Sequence, residues 1–278
     1  VLEAIVVDNQ GDERIREICA RRYCPLEIPI QYETEAKRGI SFARNRALAS
    51  VPSDTDFVVF IDDDEIPTHF WLDELLWVQQ GYVADVVGGP VVKMLQPASP
   101  GWLKQLFETV NFETGQEIVD ASTNNVLIRH EILKRMKIVF DDRFALSGGG
   151  DVYFFGMIHK AGYKLVWSRD AIVYEAVALR RANLKWALLR RYRCGNVRMR
   201  ITLDEKRNVL TRLYSFCRLG GCILWSSAGL MFDIFFGLNR IILRLGWIAQ
   251  MLGGLAGVLG IKYFEYAYEN DDPDALLD

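Results

Sequence analysis

Phe57-Val58-Val59-Phe60-Ile61 runs without a break into four carboxylates, Asp62-Asp63-Asp64-Glu65. A short apolar run of this kind, with its β-branched residues, reads as a buried strand of a largely parallel sheet. Such a strand calls for covering helices and so for an α/β layered domain. Four negative charges at its carboxyl end repel one another and must shed hydration, which folding alone does not favour without a compensating cation or ligand. In open α/β sheets ligands bind outside the carboxyl ends of the strands. Hard oxygen donors there suit Mg2+ or Mn2+, commonly shared with a substrate phosphate. The competing reading is a solvated acidic turn; the strand in front of it favours the metal.

The first half of the chain repeats the alternation that this strand demands. A strand at 4–7 ends at Asp8, and a polar amphipathic stretch follows from Asp12 to Arg22. An extended segment is expected near 29–33. Gly39 then introduces a helix from Ser41 to Leu48, with Ser41 as its cap. After the strand at 57–61, Pro67-Thr68 leads into an amphipathic helix through Trp71, Leu72, Leu75, Leu76 and Val78. Val83 to Val92, interrupted by Gly88-Gly89-Pro90, reads as a strand pair or a strand with a turn. The segment 95–150 is turn-rich, with a strand at 126–128 and a short helix at 131–136. Gly148-Gly149-Gly150-Asp151 opens a helix over Val152 to Lys160 that ends at Gly162. The last strands fall at 163–167 and 171–173.

Beyond Arg180 the composition changes. Arg180, Arg181, Lys185, Arg190, Arg191, Arg193, Arg198, Arg200, Lys206, Arg207 and Arg212 face only Asp204 and Glu205 over that stretch. Two apolar stretches follow: Leu219 to Leu238 with Asp233 as its one charge, and Leu245 to Ile261. Both are borderline against the roughly 20 residues needed to span a bilayer, and Asp233 is costly in lipid unless paired. Their many glycines penalise a water-exposed helix but are common in membrane helices. The basic block favours an anionic leaflet by about 1 kcal/mol for each Lys or Arg near its surface. A membrane hairpin or an in-plane pair is expected here, against a soluble helical lid or oligomer interface. The expected organisation is a catalytic domain over 1–200, a helical membrane-associated region over 201–270 and a polar tail over 271–278.

The net charge of -3 and pI near 5.8 give no reason to expect nucleic-acid binding. Five cysteines, Cys19, Cys24, Cys194, Cys217 and Cys222, show neither metal spacing nor a disulfide framework. They suit a reducing cytoplasmic compartment. Three histidines argue against a His-rich metal site. Val1 and a strand already under way at Ala4 predict a sequence that is incomplete at its N-terminus.

Asp151 is a second acidic position, behind three glycines and at a helix start, where backbone amides stabilise a carboxylate. By itself it is a good helix cap. The ordered combination is more specific. The chain resembles the family 2 glycosyltransferases of the GT-A fold, in particular the bacterial polysaccharide enzymes of the succinoglycan type. Ile5-Val6-Val7-Asp8-Asn9 resembles the second strand of that fold with its nucleotide-contacting acid. Gly39 with Ala43-Arg44-Asn45 is similar to the family's "G…ARN" helix. Phe60 to Glu65, followed by Pro67 and Trp71-Leu72, resembles the metal-binding DXD segment. Gly148 to Asp151 with Phe154-Phe155 resembles the "GGED" motif, whose aspartate is the usual base. Arg190-Arg191-Tyr192-Arg193 with Gly195-Asn196 is similar to the arginine-rich helix that closes the catalytic domain. The sequence departs from the family at Gly150, where Glu is usual, and in lacking the fold's first strand.

The resemblance implies a GT-A fold, Rossmann-like with a mostly parallel sheet, plus C-terminal apolar helices. It implies an inverting, metal-dependent transfer from a nucleoside-diphosphate sugar, expected to be a UDP-sugar, to a saccharide or lipid-linked saccharide at the cytoplasmic face of the plasma membrane. Asp64 with Asp62 or Glu65 would hold Mg2+ or Mn2+, with Asp62 and Asp63 also on the donor. Arg191 or Arg193 would meet the departing phosphate, unless their charge serves the membrane surface. Asp151 would take the acceptor proton, Asp8 would contact the base or ribose, and Arg44 and Asn45 would support the same pocket or pack the helix. Trp102, Phe107 and Phe112 are candidates for sugar stacking, with core packing the simpler role for each. Two other classes compete: a catalytically silent GT-A-like membrane protein that organises polysaccharide assembly, and a sugar nucleotidyltransferase. The second usually carries a glycine-rich basic phosphate loop near its start, and none is visible.

Overall fold

A computed structural model describes residues 2–21, 28–97, 99–107, 112–206 and 208–264. Cys24, Arg22, Arg207 and the polar tail from 270 lie outside the described residues. In chain order the elements are β1 (Ala4–Asp8), α1 (Glu13–Ala20), β2 (Ile30–Thr34), α2 (Ile40–Ala49), β3 (Phe57–Ile61), β4 (Glu65–Pro67) and α3 (Trp71–Tyr82). Then come β5 (Val86–Gly88), β6 (Val91–Met94), α4 (Gly101–Leu106), β7 (Asn125–Arg129), α5 (His130–Met136) and α6 (Gly150–Lys160). The last are β8 (Leu165–Trp167), β9 (Val173–Ala176), α7 (Leu184–Glu205), α8 (Val209–Asp233) and α9 (Leu238–Val258).

Two compact units interleave along the chain. The first comprises Val1–Ile61, Leu72–Gly88 and Glu113–Ser168. It holds a parallel pair, β1-β2, and a four-stranded sheet in the order β3-β7-β5-β8. In that sheet β7 runs against β3 and β5, while β5 and β8 are parallel. Three of the four strands thus point one way, as the α/β alternation requires. The immediate neighbour of β3 is nevertheless the antiparallel β7, and β3 is half-buried rather than buried. The buried strands are β5 and β7; Val126, Leu127 and Ile128 of β7 and Val86 and Val87 of β5 exclude water completely. Leu75 and Val78 of α3 and Phe154, Phe155 and Ile158 of α6 are buried in the same unit. The Phe140 and Phe154 rings stack with centroids 4.1 Å apart, and Phe60 meets Phe140 edge-on at 5.9 Å. Each such ring contributes about 2 to 3 kcal/mol by leaving water.

The start of α2 differs from expectation. Gly39 is its cap, at φ 137°, and Ser41 lies two residues inside, where its hydroxyl donates to the Asp141 carbonyl at 3.1 Å. A Cβ on Gly39 would stand 2.7 Å from that of Ala145, so the close approach excludes any other residue.

The second unit comprises Asp62–Trp71, Gly89–Phe112 and Arg169–Asp278. Its sheet has the order β4-β9-β6, with β9 antiparallel to β4 and parallel to β6. The expected strand or strand pair at 83–92 therefore resolves into β5 and β6, which serve different sheets across Gly89-Pro90. The rest of the unit is helical. Asn183 and Asn208 cap α7 and α8 through their side-chain oxygens. Helices α7 and α9 cross almost backbone to backbone: a Cβ on Gly195 would stand 1.8 Å from the Gln250 carbonyl oxygen, and one on Gly253 equally near that of Tyr192. Both Val209–Phe236 and Leu238–Val258 are long and apolar enough to cross a membrane. Helix α8 leaves Leu224, Trp225, Met231 and Phe232 largely exposed, and Phe235 beyond it is 83% exposed. Asp233, the lone charge of the first apolar stretch, is paired with the Arg244 guanidinium of α9, which lies against Gly229.

Candidate active site

At the end of β3 the chain turns tightly. The Glu65 amide donates to the Asp62 carbonyl at 3.3 Å, and the Asp62 amide donates to Glu65 Oε2 at 3.1 Å. The turn leaves Asp62 half-buried and Asp63 exposed, and the Asp64 side chain is 51% exposed. Glu65 reverses direction: as the first residue of β4 it is 8% exposed. Like-charge repulsion is thus relieved by spreading the four carboxylates over a bend, three toward water and one inward.

The inward one joins a row. Glu65 is the register partner of Glu175 on β9, and Glu175 is the register partner of Lys93 on β6. Register partners project from the same face, so three ionisable side chains lie abreast across a three-stranded sheet. Lys93 Nζ pairs with Glu175 Oε2, both largely buried. Burial pushes the Glu65 carboxyl up to about 8, reinforced by the Asp62 and Asp64 charges and opposed by the Asp62 amide and by Lys93. Burial likewise lowers Lys93 to about 8, with the Arg190 charge acting in the same direction and the three carboxylates against it. Arg181, in a 3-10 turn at Leu179–Arg181, places Nη1 3.8 Å from Asp64 Oδ2 and 3.9 Å from Glu175 Oε1.

This donor set suits a hard cation in one particular manner. Among the described residues no three His, Cys, Asp or Glu side chains converge as a preformed cage. Glu65 Oε1, however, is buried and accepts no hydrogen bond. Mg2+ keeps several waters and is usually held by one or two carboxylates together with substrate phosphates. One buried, unsatisfied carboxylate oxygen beside exposed aspartates fits that mode.

The arginine-rich helix meets the cluster differently from expectation. Arg190 is the α7 residue whose charge reaches Lys93. Its guanidinium lies 5.2 Å over the Trp186 ring, and Phe107 stacks on Trp186 at 5.5 Å. Arg191 and Arg193 are half-buried on the same helix, as is Trp102 on α4. Phe112 is half-buried in the same unit.

The other expected residues belong to the first unit. Gly148 and Gly149 have φ of 70° and 80°, and Gly149 is the cap of α6. Asp151 is therefore not a helix cap. It sits half-buried in the first turn, its Oδ1 accepting from the Val152 amide at 2.8 Å. A Cβ on Gly150 would lie 3.3 Å from that of Phe144, a tight contact. Asp8 is 5% exposed and accepts from the amides of Gln10, Gly11 and Asp12 and from the Tyr32 hydroxyl, at 2.7 to 2.9 Å. Those four donors fill the acceptor sites of a carboxylate, so Asp8 organises the loop after β1. Asn45 closes a two-way clamp on the Phe140 backbone, donating to its carbonyl at 2.8 Å and accepting from its amide at 2.7 Å. Arg44 lies 5.5 Å over the Phe140 ring.

Lys93, Glu175 and Arg181 were not singled out from the sequence. The available signal was a charge inside each short apolar strand, Val91-Val92-Lys93-Met94 and Val173-Tyr174-Glu175-Ala176. A cavity of about 970 Å3 lies elsewhere, among α7, α8 and α9, with Arg198, Arg218, Arg240 and Trp225 in its wall.

Residues 1–137 match the sequence model of the family described as Glycosyl transferase family 2. The succinoglycan biosynthesis protein ExoM of Rhizobium meliloti (strain 1021) is 31% identical over 269 residues, covering 95% of this chain and 85% of that protein. The glycosyltransferase AglE of Haloferax volcanii is 28% identical over 176 residues, 61% of this chain and 55% of that protein. Among solved structures, the mannosyltransferase PcManGT from Pyrobaculum calidifontis, in complex with GDP-Man and Mn2+, superposes with a TM-score of 0.59 at 16% identity, over 94% of this chain and 77% of that one. The fold, with its acidic turn behind a strand, is that of a GT-A glycosyltransferase. The chain belongs to glycosyl transferase family 2.

Proposed function

We propose that this protein is an inverting glycosyltransferase that moves a sugar from a nucleoside-diphosphate donor, expected to be a UDP-sugar, to a saccharide or lipid-linked saccharide during cell-surface polysaccharide synthesis. The observation that carries this reading is the acidic turn with its buried, unsatisfied Glu65 oxygen, in a chain related to a succinoglycan biosynthesis protein. Asp64, Asp62 and Glu65 would hold Mg2+ or Mn2+, which supplies Lewis-acid stabilisation of the diphosphate when bound. Asp151 takes the proton of an acceptor hydroxyl. The acceptor oxygen then bonds to the anomeric carbon as the bond to the diphosphate oxygen breaks, and the nucleoside diphosphate leaves with that electron pair. A single displacement turns an α donor linkage into a β product. Asp8 acts through the loop it organises on the base side of the donor.

The apolar hairpin and basic α7 support a place at the cytoplasmic leaflet, where a lipid-linked acceptor is found. Thermal stabilisation by a panel of sugar nucleotides, UDP-sugars and GDP-mannose included, with and without Mn2+, tests donor binding. Transfer assays on Asp64→Ala and Asp151→Asn test the roles. We expect metal-dependent stabilisation by one donor class and loss of transfer by about a hundredfold or more in each variant. A protein unmoved by every donor would leave the silent membrane-organiser reading in its place, and variants as active as the parent would remove Asp64 and Asp151 from the mechanism.

A further inference from the structure

Arg181 is held by two carboxylates at once, and those two have different fates when a donor arrives. Asp64 is half exposed, lies in the turn assigned to the metal, and contacts the guanidinium at 3.8 Å. Glu175 is buried in the strand row, fixed on its other oxygen by Lys93, and contacts the same Nη1 at 3.9 Å. A divalent cation on Asp64 competes directly with Arg181 for that carboxylate, whereas nothing in the row releases Glu175. The guanidinium then stays beside Glu175, next to the carboxylates that draw in a metal-bound diphosphate. A planar fork of N–H donors matches phosphate oxygens in bidentate geometry.

We propose that Arg181, rather than Arg191 or Arg193, is the guanidinium that receives the leaving diphosphate, and that Glu175 is the positioning residue that keeps it at the acidic turn. This inference rests on the glycosyltransferase reading. In this scheme the protein's own cation occupies Asp64 until metal and donor exchange it, so negative charge in the turn is compensated in both states. Lys93 saturates the second oxygen of Glu175 and leaves one for Arg181.

The exchange makes two predictions of opposite sign, which general damage to the site would not produce. Titration calorimetry on the intact protein measures Mn2+ alone, then a nucleoside diphosphate and the matching monophosphate with Mn2+ saturating. For Arg181→Gln, Mn2+ alone binds about two- to fivefold more tightly, because a competing ion pair is gone. The diphosphate binds roughly tenfold or more weakly, the loss expected for a charge-assisted bidentate contact, and the monophosphate changes less. Glu175→Gln repeats the diphosphate loss in weaker form, and Glu175→Asp restores part of it. The proposal is overturned if Arg181→Gln binds the diphosphate as the parent does, if Arg191→Gln or Arg193→Gln carries the loss instead, or if Mn2+ and diphosphate affinity fall together. A parent protein that binds no nucleoside diphosphate with Mn2+ would instead overturn the glycosyltransferase reading, and this proposal with it.

Discussion

Asp8 is a carboxylate placed where burial works against its charge. Burial raises its pKa, yet three backbone amides and the Tyr32 hydroxyl outweigh that and hold it below the ordinary value of 3.8. A lowered folded value means that the group stabilises the fold above its unfolded pKa, and that this contribution is lost as pH falls through the folded one. Asp8→Asn should therefore cost roughly 2 kcal/mol at neutral pH, with the gap between variant and parent closing below about pH 4. Denaturant titrations of both proteins across that range would show it; a gap independent of pH would mean that charge plays no part. The sequence marks Asp8 as the acid at a strand end but does not show that its lone pairs are spent on the amides of Gln10, Gly11 and Asp12 and on the Tyr32 hydroxyl. The same holds for Asn45, whose clamp on Phe140 joins positions 95 residues apart. Residue type and spacing carry the chemistry a side chain can do, and the partner it has found depends on contacts that spacing does not encode. Lys93 and Glu175 are the clearest cases, because each stands in a short strand that looks like ordinary sheet until the register aligns them.

At the scale of elements, the sequence was most legible where hydrophobic period and punctuation agree. The expected segment at 57–61 is β3 to the residue, the expected helix at 131–136 is α5 with one residue added, and α6 opens at its glycines. The direction of a strand's neighbour was not legible, since β7 pairs with β3 and β5 from a distant segment. The glycines of the C-terminal helices were read as a mark of membrane composition, whereas their positions divide them into two kinds. Gly195 and Gly253 face carbonyl oxygens across the α7–α9 crossing, and a Cβ on Gly257, one turn further on, would stand 2.9 Å from the Asn196 carbonyl oxygen, while one on Gly220 or Gly221 would meet nothing. Gly253→Ala should force the two helices apart and destabilise the protein by a few kcal/mol. Gly220→Ala should be neutral or stabilise by up to about 1 kcal/mol. Thermal denaturation in detergent compares them, and equal shifts would refute a packing role for the crossing.

Across the whole molecule, α7 is basic and the hairpin beyond it presents Trp225, Phe232 and Phe235 to the surroundings. The two contributions respond differently to salt. Vesicle flotation should show binding to anionic bilayers that weakens in high salt, as the cations of α7 are screened, but persists through the apolar helices. Complete release at high salt would confine the attachment to electrostatics. The order in which the chain supplies its units also has a consequence for biogenesis. The chain crosses between the two units five times, yet the first has all its segments once Ser168 is made, whereas the second waits for α9. On a ribosome the sheet of Val126 to Ile128 can close while the sticky helices are still being synthesised. The surface most prone to aggregate is therefore exposed for the shortest time, and it emerges on a chain whose first unit is already available to fold.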